Sequence, residues 1–390
     1  MTNNKEGIRG SRSLIPGARA AKNPRLAAHF LLIPELLYSP PNESIINAYL
    51  DNGYRVDIYS PGPLGAKTAY GDQVNTYPAS YTWIWLLRNL FNSKWLTYDW
   101  FSGTSEDPLA VIAVLCSVYG KKSFGLLDEI KAGSYRGDRS DQWKMICKFG
   151  IRRAKFRIVN DKHRISLLRE YAGLSKYHTI IVYPGCYRKL PEPDKDSTTL
   201  KRTWGFPDTA FVIGSSGGFN LTAGADWLLN ALKEIKDIHG VIQPLGVSEL
   251  SVFLLENLEC SDRIFIQKQR LAWHDAWKEA VGFDVGLSIY TNPAPQFQKM
   301  GISSNRLCMF IAMGVPVIAS RQKSFAFLEE FNCGILVETY AEFKSAIQAI
   351  RREHHSMQEN CKRCFHDYIK AEERFQTLSN YIKNRGRGAK

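Results

Sequence analysis

A chain of 390 residues is well beyond the roughly 100–200 of one ordinary domain, so two domains, each with its own core, are expected. Hydrophobic residues at 44%, charged residues at 23% and aromatics at 12% exclude a mainly disordered chain. The balance of 51 Lys+Arg against 38 Asp+Glu gives +13 and implies a negative partner: a phosphorylated ligand, anionic lipid or nucleic acid.

The positive excess is uneven. Arg136–Glu170 carries 11 Lys/Arg against 4 Asp/Glu, and Arg351–Lys390 carries 10 against 5, which marks both as candidate basic surfaces. The uncharged runs Pro108–Gly120 and Leu307–Ser320 span 13 and 14 residues, short of the ~18 needed to cross a bilayer. After the basic N-terminus, LAAHFLLIPELL contains His29, Pro34 and Glu35, which does not suit a secretory leader. The eight cysteines have no small-domain framework spacing, so reduced thiols in a cytoplasmic protein are expected, with residues 1–24 a disordered basic N-terminus.

From there, short β-rich runs alternate with amphipathic helical windows, the pattern of α/β units around parallel sheets. Leu26–Ile33 reads as a strand, IINAYLDNG as a helix closed by Gly53 with Asn42 or Ser44 as its cap, and YRVDIYSP as the next strand. His29 within the first of these strands reads as a packed core histidine. PLAVIAVLCSVYGKK reads as a helix, SFGLLDEI as a buried strand, and Arg157–Asn160 and Thr179–Tyr183 as two more. Pro184–Ser197 holds three prolines where hydrophobic periodicity lapses, and a domain boundary is expected there. Beyond it, strands are expected at Ala210–Gly214, GVIQPLG, DRIFIQ, DVGLSIY, GVPVIAS and CGILVE, with a helical window after each. The expected division is 25–190 for a first domain, 198–352 for a second, and 353–390 for a basic helix and tail.

Two segments carry anion-binding chemistry. GSSGGFNLTAG, Gly214–Gly224, follows a strand and precedes a helix; its small residues let backbone approach a phosphate and the helix start offers free N–H groups. Ser216, Gly217, Gly218 and Asn220 are the candidates within it. SSNRLCMFIAMGVPVIAS, Ser303–Ser320, opens a helix with the cap types Ser303, Ser304 and Asn305, followed by Arg306 in the first turn. A cation there sits unfavourably against the helix dipole unless an anion is present, so Arg306, with Lys299 nearby, is a candidate diphosphate ligand.

In their order and spacing, FPDTAFVIGSSGGFNLTAGADWLLNAL, DVGLSIY, SSNRLCMFIAMGVPVIAS and FLEEFNCGILVE resemble the donor domain of GT-B glycosyltransferases of the large retaining group 1, or family 4. The resemblance covers Thr179–Ile350 well and the first half in topology only. It implies an α/β GT-B fold: two doubly wound Rossmann-like domains facing a cleft, with a C-terminal helix returning to the first domain. It also implies a hexosyltransferase-type enzyme moving sugar from a nucleotide-sugar donor to a glycan or lipid-linked acceptor in surface polysaccharide synthesis. No cofactor and no metal is called for. The chain departs from the pattern at four ligand positions: a loop arginine and lysine fall on Gly218 and Ala223, and a glutamate pair falls on Gly301 and Met309. Subgroups with an S-N-R helix start are similar, which implies phosphate contacts from Asn305 and Arg306. The departures also motivate the alternative, a non-catalytic glycosyltransferase-like binding protein.

The family's retaining chemistry implies no fixed protein nucleophile. Asp128 and Glu129, at the carboxyl end of the strand SFGLLDEI, are the catalytic candidates for contacting an acceptor hydroxyl, and they read equally well as helix caps. Asp161 and His163 share that ambiguity. Tyr81–Phe101, with four tryptophans, Arg88 and Lys94, reads either as a helix at a lipid headgroup boundary or as a core helix. KMICKFGIRRAKFRIVNDKHR could add the charge that holds the protein peripherally on the inner face of an anionic membrane, or be a solvated face. In CKRCFH, Cys361 and Cys364 share a helix face while His366 turns away, which argues for packing rather than zinc. RNA-binding motifs of recognised kinds are lacking, so no nucleic-acid partner is expected.

Overall fold

The computed structural model describes residues 25–62, 70–127, 141–244 and 262–386. The first sheet contains β1 (Arg25–Phe30), β2 (Tyr54–Ser60), β3 (Val74–Pro78), β4 (Trp100–Thr104), β5 (Lys122–Leu127), β6 (Phe156–Val159) and β7 (Ile180–Val182), in the order β3-β2-β1-β4-β5-β6-β7. The second contains β8 (Phe211–Gly217), β9 (Ile238–Pro244), β10 (Ile264–Ile266), β11 (Val285–Ser288), β12 (Val317–Ser320) and β13 (Gly334–Val337), in the order β10-β9-β8-β11-β12-β13. Every pairing is parallel. Strand order reverses between β1 and β4 in one sheet and between β8 and β11 in the other; such switch points open crevices at the carboxyl ends of open α/β sheets.

Helices α1 (Pro40–Asp51), α2 (Trp83–Asn89), α3 (Glu106–Tyr119), α4 (Asp141–Arg153) and α5 (Arg164–Ala172) flank the first sheet. Alternation along the strands feeds two cores: Ala27, Val56 and Ile58 pack with α1, whereas Ala28, Phe30, Tyr59 and Phe101 pack with α3 and α4. Both faces are thus covered, as a parallel sheet requires. The second domain has α6 (Ser197–Thr203), α7 (Ala225–Glu234), α8 (Trp273–Glu279), α9 (Asn305–Ala312), α10 (Phe327–Glu330) and α11 (Tyr340–Cys364). After α11 come one π-helical turn, Phe365–Ile369, and Lys370 at φ +51, which redirect the chain into α12 (Ala371–Gly386). Phe375, Leu378 and Ile382 of α12 are buried in the first domain's core, and Asn52 Nδ2 donates to Ser379 Oγ at 2.8 Å.

Three expectations are corrected. Helix α1 starts at Pro40 with Ser39 as its N-cap, ahead of Asn42 and Ser44, because prolines fit the first helical turn; Asn42 is buried against His29 instead. Tyr81–Phe101 is not one helix: α2 ends at Asn89, Ser93–Thr97 forms a 3-10 turn, and β4 follows as a central strand, with Trp95 and Trp100 fully buried. Strands β3 (VNTYP) and β4 (WFSGT) are five residues each with no run of apolar residues beyond two, and their register against β2 and β1 defines them. Finally, α11 runs unbroken past residue 352, so the turn towards the first domain falls at Phe365–Lys370.

Candidate active site

The two domains enclose a crevice of about 510 Å³. Ile33, Ser39, Pro41, Asn160 and Arg164 line it from the first domain; the β8 turn, the start of α9 and the aromatic segment at Trp273–Trp277 line it from the second. The loops after β8 and β11 flank the second domain's switch point, so this is where an open α/β sheet places a ligand.

At the end of β8, Gly217 takes φ +91, a left-handed conformation that favours glycine. Over this turn lies the Arg306 guanidinium. Its Nη2 donates to the Gly218 carbonyl at 3.1 Å, its Cζ is 5.2 Å from the Tyr290 ring centroid, and its Nη1 is buried without a hydrogen-bond partner. A Cβ on Gly217 would stand 3.4 Å from Arg306 Nη2, in ordinary contact, so the guanidinium packs directly on the turn and it is the backbone conformation that calls for glycine. Arg306 projects from the first turn of α9, whose N-cap Ser304 accepts from Leu307 N at 3.2 Å and shares a 2.7 Å hydrogen bond with Tyr290 Oη. A cation, an unpartnered donor and a helix N-terminus therefore converge on one side of the crevice, an arrangement that favours a phosphate group.

The β11–α9 loop that carries this arrangement is fastened to the first domain. Asp161 Oδ2 accepts from Ile302 N at 2.9 Å, while its Oδ1 accepts from His163 N and Nδ1 at 2.7 and 2.8 Å. Arg164 Nη2 donates to the Gln296 carbonyl at 3.0 Å and its Nε to that of Lys299 at 3.2 Å. Gly185 N, in the interdomain connection, donates to the Ile302 carbonyl at 2.8 Å. The ambiguity over Asp161 and His163 is thus resolved towards structure. Lys299 also departs from its expected role: its Nζ donates to Ser166 Oγ at 3.1 Å, across the domain boundary, rather than joining Arg306.

The far end of the crevice is aromatic and amide-lined. Gln243, at the carboxyl end of β9, donates Nε2 to Glu279 Oε2 at 3.0 Å and leaves its buried Oε1 without a partner. Burial pushes the Glu279 carboxyl up from its ordinary value, partly offset by that hydrogen bond. Trp273 and Trp277 line the same end. At its rim, His274 Nε2 meets Glu43 Oε2 of α1 at 3.1 Å and stacks on Tyr187 at 4.6 Å between centroids. That hydrogen bond raises the imidazole pKa, against the opposing effect of burial.

Of the residues expected from sequence, Ser216, Gly217, Gly218, Asn220, Ser303, Ser304, Asn305 and Arg306 line this one crevice, and Lys299 points elsewhere. Asp128 and Glu129 lie outside the described residues, as does the N-terminus to residue 24. His29 is fully buried between Ser102 Oγ and Asn42 Oδ1, at 2.8 and 3.1 Å, and burial lowers its pKa to about 4. Cys361 and Cys364 are buried in the core of the second domain. The linker's Asp194-Lys195-Asp196 resembles a metal-assisting carboxylate pair but serves structure: Asp194 Oδ2 accepts from Lys278 Nζ at 2.8 Å, and Asp196 caps α6. Tyr290, Gln243 and Arg164 were not foreseen; the first two stand at strand carboxyl ends, the signal that could have found them.

The positions that depart from the resembled family have physical occupants. Gly301 takes φ +46, and a Cβ there would fall 2.0 Å from Asp161 Oδ2, so no side chain fits. Met309 and Ala223 are buried and line the crevice.

No protein-family profile matches the chain, and no curated protein matches it by sequence. Among solved structures, HepE of Anabaena, in complex with UDP-glucose, superposes with a TM-score of 0.72 at 14% identity, covering 92% of this chain and 99% of HepE. Sucrose-phosphate synthase of Thermosynechococcus elongatus gives 0.70 at 14%, over 93% and 98%. A glycosyltransferase of Rickettsia africae gives 0.70 at 15%, over 94% and 100%. The chain has the GT-B fold of glycosyltransferases, with its α12 helix returning to the first domain.

Proposed function

We propose that the protein is a nucleotide-sugar-dependent glycosyltransferase of the group 1 (family 4) type, a retaining hexosyltransferase acting on a glycan or lipid-linked acceptor in surface polysaccharide synthesis. The observation that carries this reading is Arg306 over the Gly217–Gly218 turn, with a buried, unpartnered Nη1 beside the N-terminus of α9. As the bond from sugar to diphosphate breaks, negative charge grows on the leaving phosphate. Donors already held in place there stabilise that charge with little reorganisation. Arg306 thereby takes the role that a loop arginine would have had at Gly218. The unpartnered Gln243 carbonyl and the aromatic end suit the nucleoside, and the first-domain wall suits the acceptor. Asp128 and Glu129, which follow β5 in sequence, are proposed to hydrogen-bond the acceptor hydroxyl. The acceptor is placed at the inner face of a membrane, with the protein cytoplasmic and peripheral there.

Met309 in place of a ribose-binding carboxylate favours one rival, a non-catalytic binding protein of the same fold. A thermal-shift screen with UDP, GDP, ADP, CMP and their sugar conjugates separates the two readings. Ligand binding to the folded state raises the midpoint by mass action, by about 2.7 kcal/mol of stability at a hundredfold excess over Kd. A shift with one nucleotide that is lost in Arg306→Ala supports the enzyme. No shift at millimolar concentration leaves the rival.

A further inference from the structure

Eight of the eleven large hydrophobic residues that stand exposed in the described chain lie between Trp83 and Phe149. Scattered exposed apolar residues are ordinary; a concentration is not. On α2, Ile84 and Leu87 are each 64% exposed, and Phe91 just beyond is 85% exposed, spaced i, i+3, i+7. On α4, Trp143, Cys147 and Ile151 face inward, which turns Met145 (62% exposed) and Phe149 outward. The two helices adjoin, since Trp83 meets Trp143 edge-on at 4.9 Å.

These side chains are not on a loose segment. Lys94 Nζ lies 2.9 Å from Asp57 Oδ2 and 3.3 Å from the Tyr77 ring centroid, and Trp95 Nε1 donates to the Asn89 carbonyl at 2.6 Å. The turn after α2 is therefore pinned to β2, and the outward face is fixed. Its charge is one-sided. Residues 83–97 and 141–155 carry seven cations, Arg88, Lys94, Lys144, Lys148, Arg152, Arg153 and Lys155, against one acid, Asp141, and of these cations Lys94 is turned inward to an acid of another element, Asp57.

We propose that the outward faces of α2 and α4, with the Ser93–Thr97 turn, form a docking surface for a membrane carrying anionic headgroups. Apolar tips would enter the headgroup boundary while the flanking cations meet lipid phosphates. Strands are all parallel, so α2 and α4, which follow β3 and β5, begin towards the sheet edge that also carries Ile33, Ser39 and Asn160 of the crevice. Phe91, the Ser93–Thr97 turn and Arg153 lie at the other ends of these helices, so docking lays this flank of the first domain, from crevice edge to far edge, on the surface from which a lipid-linked acceptor would come, and to that extent the inference rests on the proposed function.

The test is flotation of the full chain with vesicles of about 30% phosphatidylglycerol in phosphatidylcholine, against phosphatidylcholine alone. Association with the anionic vesicles should exceed that with the neutral ones by about tenfold or more. It should fall about fivefold for each of Arg88→Glu and Arg153→Glu. It should be largely lost in Leu87→Glu/Phe91→Glu, whose sites are exposed enough to leave folding intact. Three results would overturn the proposal: no association with either vesicle, full retention by all the variants, as binding through the basic N-terminus would give, or a solution dimer that Phe91→Glu dissolves. Nucleotide-induced thermal shift, measured on the same proteins, keeps the two claims apart. A shift without flotation removes only the docking surface, and flotation without a shift removes only the reading of the crevice.

Discussion

Arg306 donates Nη2 to the carbonyl of Gly218, 3.1 Å away, closing a bridge between the start of α9 and the glycine turn after β8. The two segments are 88 residues apart in sequence and meet because β8 and β11 are neighbours in the sheet. In the resembled family the position of Gly218 itself bears the cation. Here the charge comes from the neighbouring helix start on the same wall of the crevice and lies against the turn, 3.1 Å from the Gly218 carbonyl.

Gly301 is fixed by its surroundings. At φ +46, with a virtual Cβ 2.0 Å from Asp161 Oδ2, Gly301→Ala should cost about 2 kcal/mol or more. Urea denaturation checks this. Placing the resembled family's carboxylate here with Gly301→Glu should harm nucleotide binding as well as stability; improved binding would show that the Asp161 contact is dispensable.

Asp161 acts at a distance from the crevice by holding Ile302 N. Asp161→Ala should leave that buried N–H unsatisfied, at about 1–3 kcal/mol, and weaken nucleotide affinity although no crevice-lining side chain changes. Asp161→Asn, which keeps an acceptor oxygen, should recover part of both. Calorimetric titration of the three proteins gives the answer, and equal affinities would detach Asp161 from the site.

Lys299 was expected beside the diphosphate, but its Nζ bonds Ser166. Lys299→Ala should therefore change nucleotide affinity by no more than about twofold, as expected for a half-exposed interdomain contact. A tenfold loss would mean that the lysine swings into the crevice on binding.

The His274–Glu43 contact gives the domain interface a pH dependence. Its hydrogen bond raises the imidazole pKa above the ordinary 6.5, so the contribution is fully present below about pH 6.5 and is lost as pH rises through the raised value. Because the imidazole is partly exposed, the effect should stay under about 1 kcal/mol. Thermal midpoints of the parent and Glu43→Gln should differ at about pH 6 and converge by about pH 8.5. Parallel curves would show that the pair contributes nothing.

What the sequence made legible was local. Cap residue Ser304, the glycine turn and the apolar strand run before it each announce themselves within a few residues and fall where expected, whereas Ser303 ends the preceding 3-10 turn instead of capping. What it hid was relational. Strand β4 is central, yet WFSGT has no alternating apolar pattern, and its burial follows from lying between β1 and β5. The amine of Lys299 and the carboxylate of Asp161 looked like chemistry because nothing in sequence reveals that each has a partner in the other domain. Conversely, Tyr81–Phe101 mixes buried Trp95 and Trp100 with exposed Ile84, Leu87 and Phe91, so one composition contained both the core and the surface reading.

The central claim is that the crevice binds a nucleoside diphosphate through Arg306 and the glycine turn. Isothermal titration of UDP, GDP and ADP into the parent, Arg306→Lys and Arg306→Ala tests it directly. One nucleotide should bind the parent, with about 10- to 100-fold weaker binding in Arg306→Ala, the range for losing charge-assisted hydrogen bonds, and an intermediate loss in Arg306→Lys. Unchanged affinity in Arg306→Ala, or no binding of any nucleoside diphosphate to the parent, would contradict it.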